Sequence, residues 1–494
     1  MTPSDLNTMS HIQSHHGGAD EDHNTFLVLL KVYGNTIHLW TPDKSIKTHP
    51  FNISCHNVET HSDLPGSEIQ VFKLSEPAHM HDEECSFKDQ QTMGQEITEE
   101  DMAIFMTGPV PSSRKASYAI DLAIDLTKIG SAYLYLDPKF SSQGIQRTPI
   151  IATKTHLPIG QMQIEYLIVT NPVGYGQPPV RPDWLFKTSR LEAGHRGAGS
   201  GRRTDLPEGL LENTIASFNY AHRHGADMCE LDVLLSADGV PVVYHDFDVD
   251  AVAAQQSSNE IGKFRIQVNQ FTVKQLRDFR LLALHDGEGH AYTLNVPNQV
   301  ECNRPFPTLA EVLDKVDETC GLNIEVKWPQ MLESGKMEAR RFREINDFAD
   351  RIVSVVEKHA GNRRIVLESF DADLTIMLRL KQNRFPVMFI TQGLTERYER
   401  YVDTRARSIC NGVYFAQAFG LVGIDIISEY YLSMGKRLVE FIHSHELVAR
   451  GWGDMGESSE TLDLLKDLNL QCVTYDRIDK MKRVGKRDED QDEN

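Results

Sequence analysis

The chain is poor in cysteine, in long apolar runs and in positive charge. Its seven cysteines, at 55, 85, 229, 302, 320, 410 and 472, are odd in number and include no CxxC pair. That is not a disulfide framework; it reads as reduced, mostly buried thiols. No stretch approaches the roughly 18 apolar residues that a membrane span needs. Met1 to His23 is polar and lacks the apolar core of a signal peptide. A cytoplasmic chain with no membrane span is expected. Lysine and arginine number 51 against 71 acidic residues, a net charge of −20. Such a surface repels phosphate backbones, which argues against a nucleic-acid partner. A small anionic substrate stays admissible, because a local Arg, Lys or metal reverses the field inside one cleft.

The 494 residues, 40% of them hydrophobic, suffice for two or three domains with buried cores. Residues 1–23 read as a disordered tail, with His11, His15, His16 and His23 solvated rather than metal-bound. Residues 24–170 are strand-rich: Phe26–Val32, Thr36–Trp40, Ile69–Phe72, Met102–Met106, Ser117–Leu126, Ala132–Leu136 and Gln161–Val169. Strands without long helices between them predict a mostly-β, sandwich-like domain. In it, His79 and His81 to Cys85 look ligand-like but read as a solvated loop. Pro172, Gly174, Gly176, Pro178, Pro179 and Pro182 mark a linker over 171–189, with Trp184 and Leu185 docking it onto a neighbour.

Over 190–481 the pattern becomes strand, helix, strand. Nine candidate strands follow: Leu191–His195, Met228–Leu234, Val240–His245, Leu322–Lys327, Arg364–Phe370, Val387–Thr391, Gly412–Phe415, Leu447–Trp452 and Gln471–Tyr475. Helices such as Glu338–Lys358 and Ala372–Gln382 lie between them. The class is α/β, a (β/α)8 TIM barrel behind the β domain, with one strand too many for eight places. Residues 482–494 read as a charged, disordered tail.

Chemistry in such a barrel collects at the C-terminal strand ends. His195 and Arg196 end the first strand. Glu230 and Asp232 are two apart and share a strand face. Two like charges pointing inward are costly unless a cation relieves them, and a hard divalent ion, Mg2+ or Ca2+, does so with oxygen ligands. Glu325 interrupts an apolar strand and offers a third carboxylate; Lys327, on its face, can neutralise phosphate or simply pair with Glu325. Asp238-Gly239 predicts a two-residue hairpin turn. Paired residue numbers would then sum to 477, setting His245 opposite Asp232. Two histidines beside Arg196 and a metal suit acid–base phosphodiester cleavage. Thr214 reads as a helix N-cap, with Asn213 the other candidate, and Glu212 can face the site.

His195-Arg196-Gly197, Glu212-Asn213-Thr214, Glu230-Leu231-Asp232-Val233, Asp238-Gly239, His245-Asp246, Pro307-Thr308-Leu309 with Glu311, and Ile324-Glu325-Val326-Lys327 occur in that order. Over about 190–480 this series resembles the glycerophosphodiester phosphodiesterase family. The resemblance implies a TIM barrel, a divalent metal, and hydrolysis of a small-molecule glycerophosphodiester to glycerol 3-phosphate and an alcohol through a cyclic phosphate. It implies Glu230, Asp232 and Glu325 as metal ligands, His195 and His245 as the acid–base pair, and Arg196 as the phosphate contact. Ser369 to Leu374 and Tyr475 to Ile478 resemble the long cytosolic members acting on glycerophosphocholine. Those members commonly begin with a starch-binding module using paired exposed tryptophans. Here only Trp40 precedes the linker, so a carbohydrate or protein contact of the β domain is left open. Trp452-Gly453-Asp454 stands where many members have Trp-Thr-Val-Asn. Phe370, Trp452 and Trp328, at strand ends, form a candidate cage for a choline cation. A lysophospholipase D-type activity and a noncatalytic barrel are the alternatives.

Overall fold

The computed structural model describes residues 25–481 apart from 41–49, 59–66, 77–79, 81–84, 113–114, 138–140, 188–189, 201–209, 255–260, 284–289, 295–300, 342 and 454–458. Both expected tails, His79, the run His81 to Glu84, and Asp454 lie outside the described residues.

Eight parallel strands close on themselves: Leu191–Gly194, Met228–Leu235, Gly321–Val326, Ile365–Ser369, Val387–Thr391, Gly423–Ile427, Val448–Trp452 and Cys472–Tyr475. The first pairs with both the second and the last, which makes the sheet a barrel. Seven of the nine expected strands are barrel strands. Gly412–Phe415 is not a strand but the middle of helix Ile409–Ala418. Its β-prone residues are overridden by an N-cap, Ser408, and by Ile409, Val413 and Ala416 packing inward at helical spacing. The strand actually in that place, Gly423–Ile427, is broken in sequence by Asp425, a charge that hides its apolar character.

Val240–His245 is also corrected. Only Pro241–Val243 is strand, antiparallel to the second barrel strand and outside the ring. Its pairs Val233–Val243 and Leu234–Val242 sum to 476, one short of the expected register. The cause is a three-residue loop, Ala237-Asp238-Gly239. Ser236 closes it against the Val240 carbonyl, and Gly239 takes a φ of +74°. The helix expected from Glu338 starts at Ile345, behind the capping side chain of Glu344. A four-stranded sheet, Asp248–Ala254, Ile261–Gln267, Phe279–Ala283 and His290–Leu294, is inserted after the hairpin and was not expected.

The N-terminal unit is a twelve-stranded sheet, antiparallel in its pairings. Thr36–Trp40 shortens to His38–Leu39, because Thr36 closes a tight turn on the Tyr33 carbonyl. Phe51–Asn57 and Gln143–Ala152 are further strands. Alternation sorts its first strand, Thr25–Tyr33. Phe26, Val28, Leu30 and Val32 fill the unit's own core, while Leu27 and Leu29 join the barrel's core. In the linker, helix Asp183–Phe186 buries Leu185 among Leu191, Met228, Met388 and Val448, plugging the N-terminal end of the barrel. None of the seven cysteines is in a disulfide, and five of them are buried. Among the described residues, no helix is long and apolar enough to cross a membrane.

Candidate active site

At the opposite, C-terminal end the barrel opens into a cavity of about 1000 Å³ lined by His195, Arg196, Glu230, Asp232, His245, Glu325 and Lys327, among others. Chain positions 195 to 327 thus converge on one space.

The first strand delivers His195 through a tight turn. Arg196 has φ +48° and Gly197 φ +89°. A Cβ at Gly197 would lie 2.4 Å from Ser217 Oγ, so only glycine lets the turn rest on the following helix. The turn aims the Arg196 amide at Glu230 Oε2, 2.8 Å away. The Arg196 guanidinium pairs with Glu212 at 3.1 Å and approaches Asp232 at 3.7 Å. Glu212 therefore stands behind Arg196 rather than on the cavity wall.

Glu230, Asp232 and Glu325 bring one carboxylate oxygen each to within 4.8 Å of one another. Asp232 and Glu325 are lateral neighbours on adjacent strands. Lys327 Nζ lies 3.0 Å from Glu325 and 3.4 Å from Asp232. Asn213 clamps the far side of Asp232: its Nδ2 donates to Oδ2 at 2.9 Å, and its Oδ1 accepts from the Asp232 amide. Thr214, the actual N-cap, accepts from the Ser217 amide.

Electrostatics separates these groups. Burial, with Asp232 and Glu325 alongside, pushes the Glu230 carboxyl up to about 8. Asp232 is as buried, yet His245, Lys327, Arg196 and the Asn213 hydrogen bond hold it well below the usual carboxylate range. The histidines diverge too. Burial and Arg196 work against the His195 imidazolium, but Asp476 and Glu230 outweigh them, and its pKa rises to about 9. At His245, burial with Arg196 and Lys327 outweighs Asp232 and Asp246, and the pKa falls. One ring favours its protonated form and the other its neutral form, as an acid–base pair requires.

His245 reaches the cavity despite the shifted register. The Tyr244 amide bonds the Asp232 carbonyl at 3.0 Å and the Tyr244 ring packs on Phe306, so the next residue turns back over the barrel. Each histidine has a carboxylate at Nδ1: Asp476 at 2.8 Å from His195 and Asp246 at 2.6 Å from His245. That leaves each Nε2 for a reacting group. Both orienting carboxylates stand in motifs read from the sequence, His245-Asp246 and Tyr475 to Ile478, but neither was given this role, nor was Asn213 that of a clamp. Asp476 follows the last strand, Cys472–Tyr475, which closure sets beside the first.

The far wall is aromatic. Phe370 and Trp452 meet edge to face at 5.2 Å, with Tyr398 at 6.0 Å from Trp452 and Tyr401 at 6.1 Å from Phe370. Trp328 also lines the cavity, but its ring is not joined to these rings: it packs on Phe348 at 4.8 Å with Arg341 over its face. The tyrosines sit on an irregular loop after the fifth strand, where no periodicity flags them.

A family model described as the glycerophosphoryl diester phosphodiesterase family matches residues 195–480. The human glycerophosphocholine phosphodiesterase GPCPD1 is 35% identical over 346 residues, covering 68% of this chain and 51% of that protein. The glycerophosphocholine phosphodiesterase GDE1 of Eremothecium gossypii is 27% identical over 409 residues, covering 71% of this chain and 31% of that protein. The chain thus spans about half the length of the human relative and less of the fungal one. A solved glycerophosphodiester phosphodiesterase from Thermotoga maritima aligns with 58% of this chain and 95% of its own, at 21% identity and a TM-score of 0.38. The matched segment begins at His195 and takes in every residue of the converging set, and on that match the chain belongs to the glycerophosphoryl diester phosphodiesterase family.

Proposed function

We propose that this chain hydrolyses glycerophosphodiesters in a metal-dependent reaction, with glycerophosphocholine giving choline and sn-glycerol 3-phosphate. The observation that carries this is one cavity holding two histidines, each oriented by a carboxylate at Nδ1, beside three converging carboxylates. The names of the relatives supply the choline head group.

The donor set fits a hard divalent cation: three carboxylates, oxygen only, with Glu230 desolvated among like charges. Glu230, Asp232 and Glu325 would hold Mg2+ or Ca2+. When bound, such an ion offsets charge developing on the phosphoryl oxygens. Arg196 and Lys327 are the phosphate contacts, Arg196 by its planar fork. One histidine takes the proton of a glycerol hydroxyl as that oxygen bonds to phosphorus. The bond from phosphorus to the alcohol oxygen breaks, and the other histidine protonates the leaving alcohol. Water then opens the cyclic phosphate to glycerol 3-phosphate, with the proton roles reversed. Phe370, Trp452 and Tyr398 offer ring faces to a quaternary ammonium group. A cytoplasmic site of action belongs to the same reading, supported by seven cysteines that form no disulfide.

The test is choline release from glycerophosphocholine by the purified chain, with Mg2+, with Ca2+ and with chelator, beside His195→Ala. Metal-dependent release lost in the variant is expected. Folded, metal-loaded protein silent on glycerophosphocholine, glycerophosphoethanolamine and glycerophosphoinositol would sink the proposal.

A further inference from the structure

Three rings of the aromatic wall, Phe370, Tyr398 and Tyr401, are carried by two segments that the N-terminal sheet grips from outside, while Trp452 ends the seventh barrel strand. Phe370 follows the fourth barrel strand and precedes helix Ala372–Lys381, whose second residue is Asp373. Tyr398 and Tyr401 lie just before Asp403, which caps the short helix Thr404–Arg407. Arg405 joins the two: it contacts Asp373 at 3.0 Å and Asp403 at 2.6 Å, and its side chain is fully buried. Onto this junction comes Lys31, from the first strand of the N-terminal sheet. Its Nζ takes both oxygens of Asp373, at 3.0 and 2.8 Å, with Glu165 of the neighbouring strand at 3.5 Å.

Lys31 lies on the same strand face as Leu27 and Leu29, which enter the barrel's core. A lysine in that row, its side chain only 7% exposed, is anomalous for a packing position. An apolar residue would satisfy the interface between sheet and barrel. What the ammonium adds is a direct hold on Asp373, and through Arg405 a hold on the loop that ends at Asp403. The same sheet also takes hydrogen bonds from Asn411 to the Lys73 and Ser75 carbonyls, just beyond that loop. Its polar grip includes the segments behind Phe370, Tyr398 and Tyr401.

We propose that Lys31 is a positioning residue for the alcohol end of the catalytic cavity, so that the N-terminal sheet takes part in selecting the head group. It acts through Asp373 and Arg405 and touches no reacting atom. The selectivity rests on the function proposed above; the mechanical coupling does not.

The full chain is compared with Lys31→Met and Lys31→Arg by two measurements. The first is steady-state kinetics on glycerophosphocholine and on glycerophosphoglycerol, whose leaving alcohol is uncharged. Lys31→Met is expected to raise KM for glycerophosphocholine roughly tenfold. Its kcat, and KM for the uncharged substrate, should hold, and Lys31→Arg should restore the KM. The second is amide hydrogen exchange, expected to speed up in Lys31→Met over 392–403 and not over Gly321–Val326. Equal loss on both substrates, or unchanged exchange over 392–403, overturns the proposal. If Lys31→Met does not fold, Asp373→Asn carries the same expectations, because it weakens the hold without leaving a bare carboxylate. A wild-type chain inactive on both substrates sinks the enzymatic reading alone, and exchange then decides the coupling.

Discussion

Two clusters of buried and half-buried carboxylates share the barrel interior. One is Glu230, Asp232 and Glu325. The other is Glu368 and Asp425, held around Arg450, whose side chain is 1% exposed. Arg450 lies 3.3 Å from Glu368, 3.7 Å from Asp425 and 2.8 Å from Asn323 Oδ1, and Asn323 also donates to Glu368. Here the cation is built in, on a strand, between its acids. In the first cluster the cations, Lys327 and Arg196, flank the acids, and three carboxylate oxygens still converge. Acids wrapped around a fixed guanidinium are a structural device. Both sets line the cavity, but acids converging on one point with cations only at their flanks are a place for something that arrives.

The comparison breaks most sharply at the histidines, which have no counterpart around Arg450. His195→Ala and His245→Ala should each lower kcat by about 10²- to 10⁴-fold, with melting temperatures little changed. Arg450→Met should do the reverse. It strands Glu368 and Asp425 without their cation and should cost about 3–5 kcal/mol of stability, read by denaturant unfolding, while the folded fraction keeps its kcat. A stable, inactive Arg450→Met protein would instead place the second cluster in the chemistry. Between these lies Asn213→Ala. The Asn213 side chain fixes the orientation of Asp232 by two hydrogen bonds. Its loss should weaken metal binding by about 10- to 100-fold in a calorimetric titration, with the fold retained.

The first cluster was more legible in sequence than the second. Glu230, Asp232 and Glu325 interrupt runs that otherwise read as strand, and a charge inside an apolar strand needs a reason. Asp425 interrupts its run equally, but Gly423–Ile427 is only five residues long, so the charge removed the strand from view. Arg450 lies in a strand that was recognised, yet its acids could not be paired with it before the barrel closed. The roles of Asp476 and Asn213 were hidden for the same reason: their partners are 281 and 19 residues away and meet them only in the folded ring. The hairpin shows the opposite limit. Local turn chemistry was read from Asp238-Gly239, but the loop took one residue more, and the whole register moved with it. The inserted sheet and the tyrosine loop left no strong periodic signal.

The smallest effect sharpens the comparison by pH. Burial and like charges push Glu230 up to about 8, so the metal-free site still holds a proton near neutrality. A ligand must give up that proton, so apparent metal affinity should rise with pH, by up to about tenfold per unit, and level off above about 8. The stability of the metal-free chain runs the other way. A carboxyl raised in the folded state adds stability below its unfolded pKa, and that contribution is lost as pH rises from the ordinary carboxylate range to about 8. Bound metal should therefore raise the melting temperature more at pH 8 than at pH 6. Asp425, pushed up to about 6 by burial and, more weakly, by Glu325 against the pull of Arg450, follows the same sign in stability but should alter metal affinity far less than Glu230 does. Titrating Mg2+ and Ca2+ calorimetrically from pH 6 to 9, in the wild type and in Asp425→Asn, separates the two. An affinity slope that survives Asp425→Asn and vanishes in Glu230→Gln assigns the proton to the converging set. A slope that disappears with Asp425 would mean the clusters titrate as one, and the division between a structural and a receiving cluster would fall.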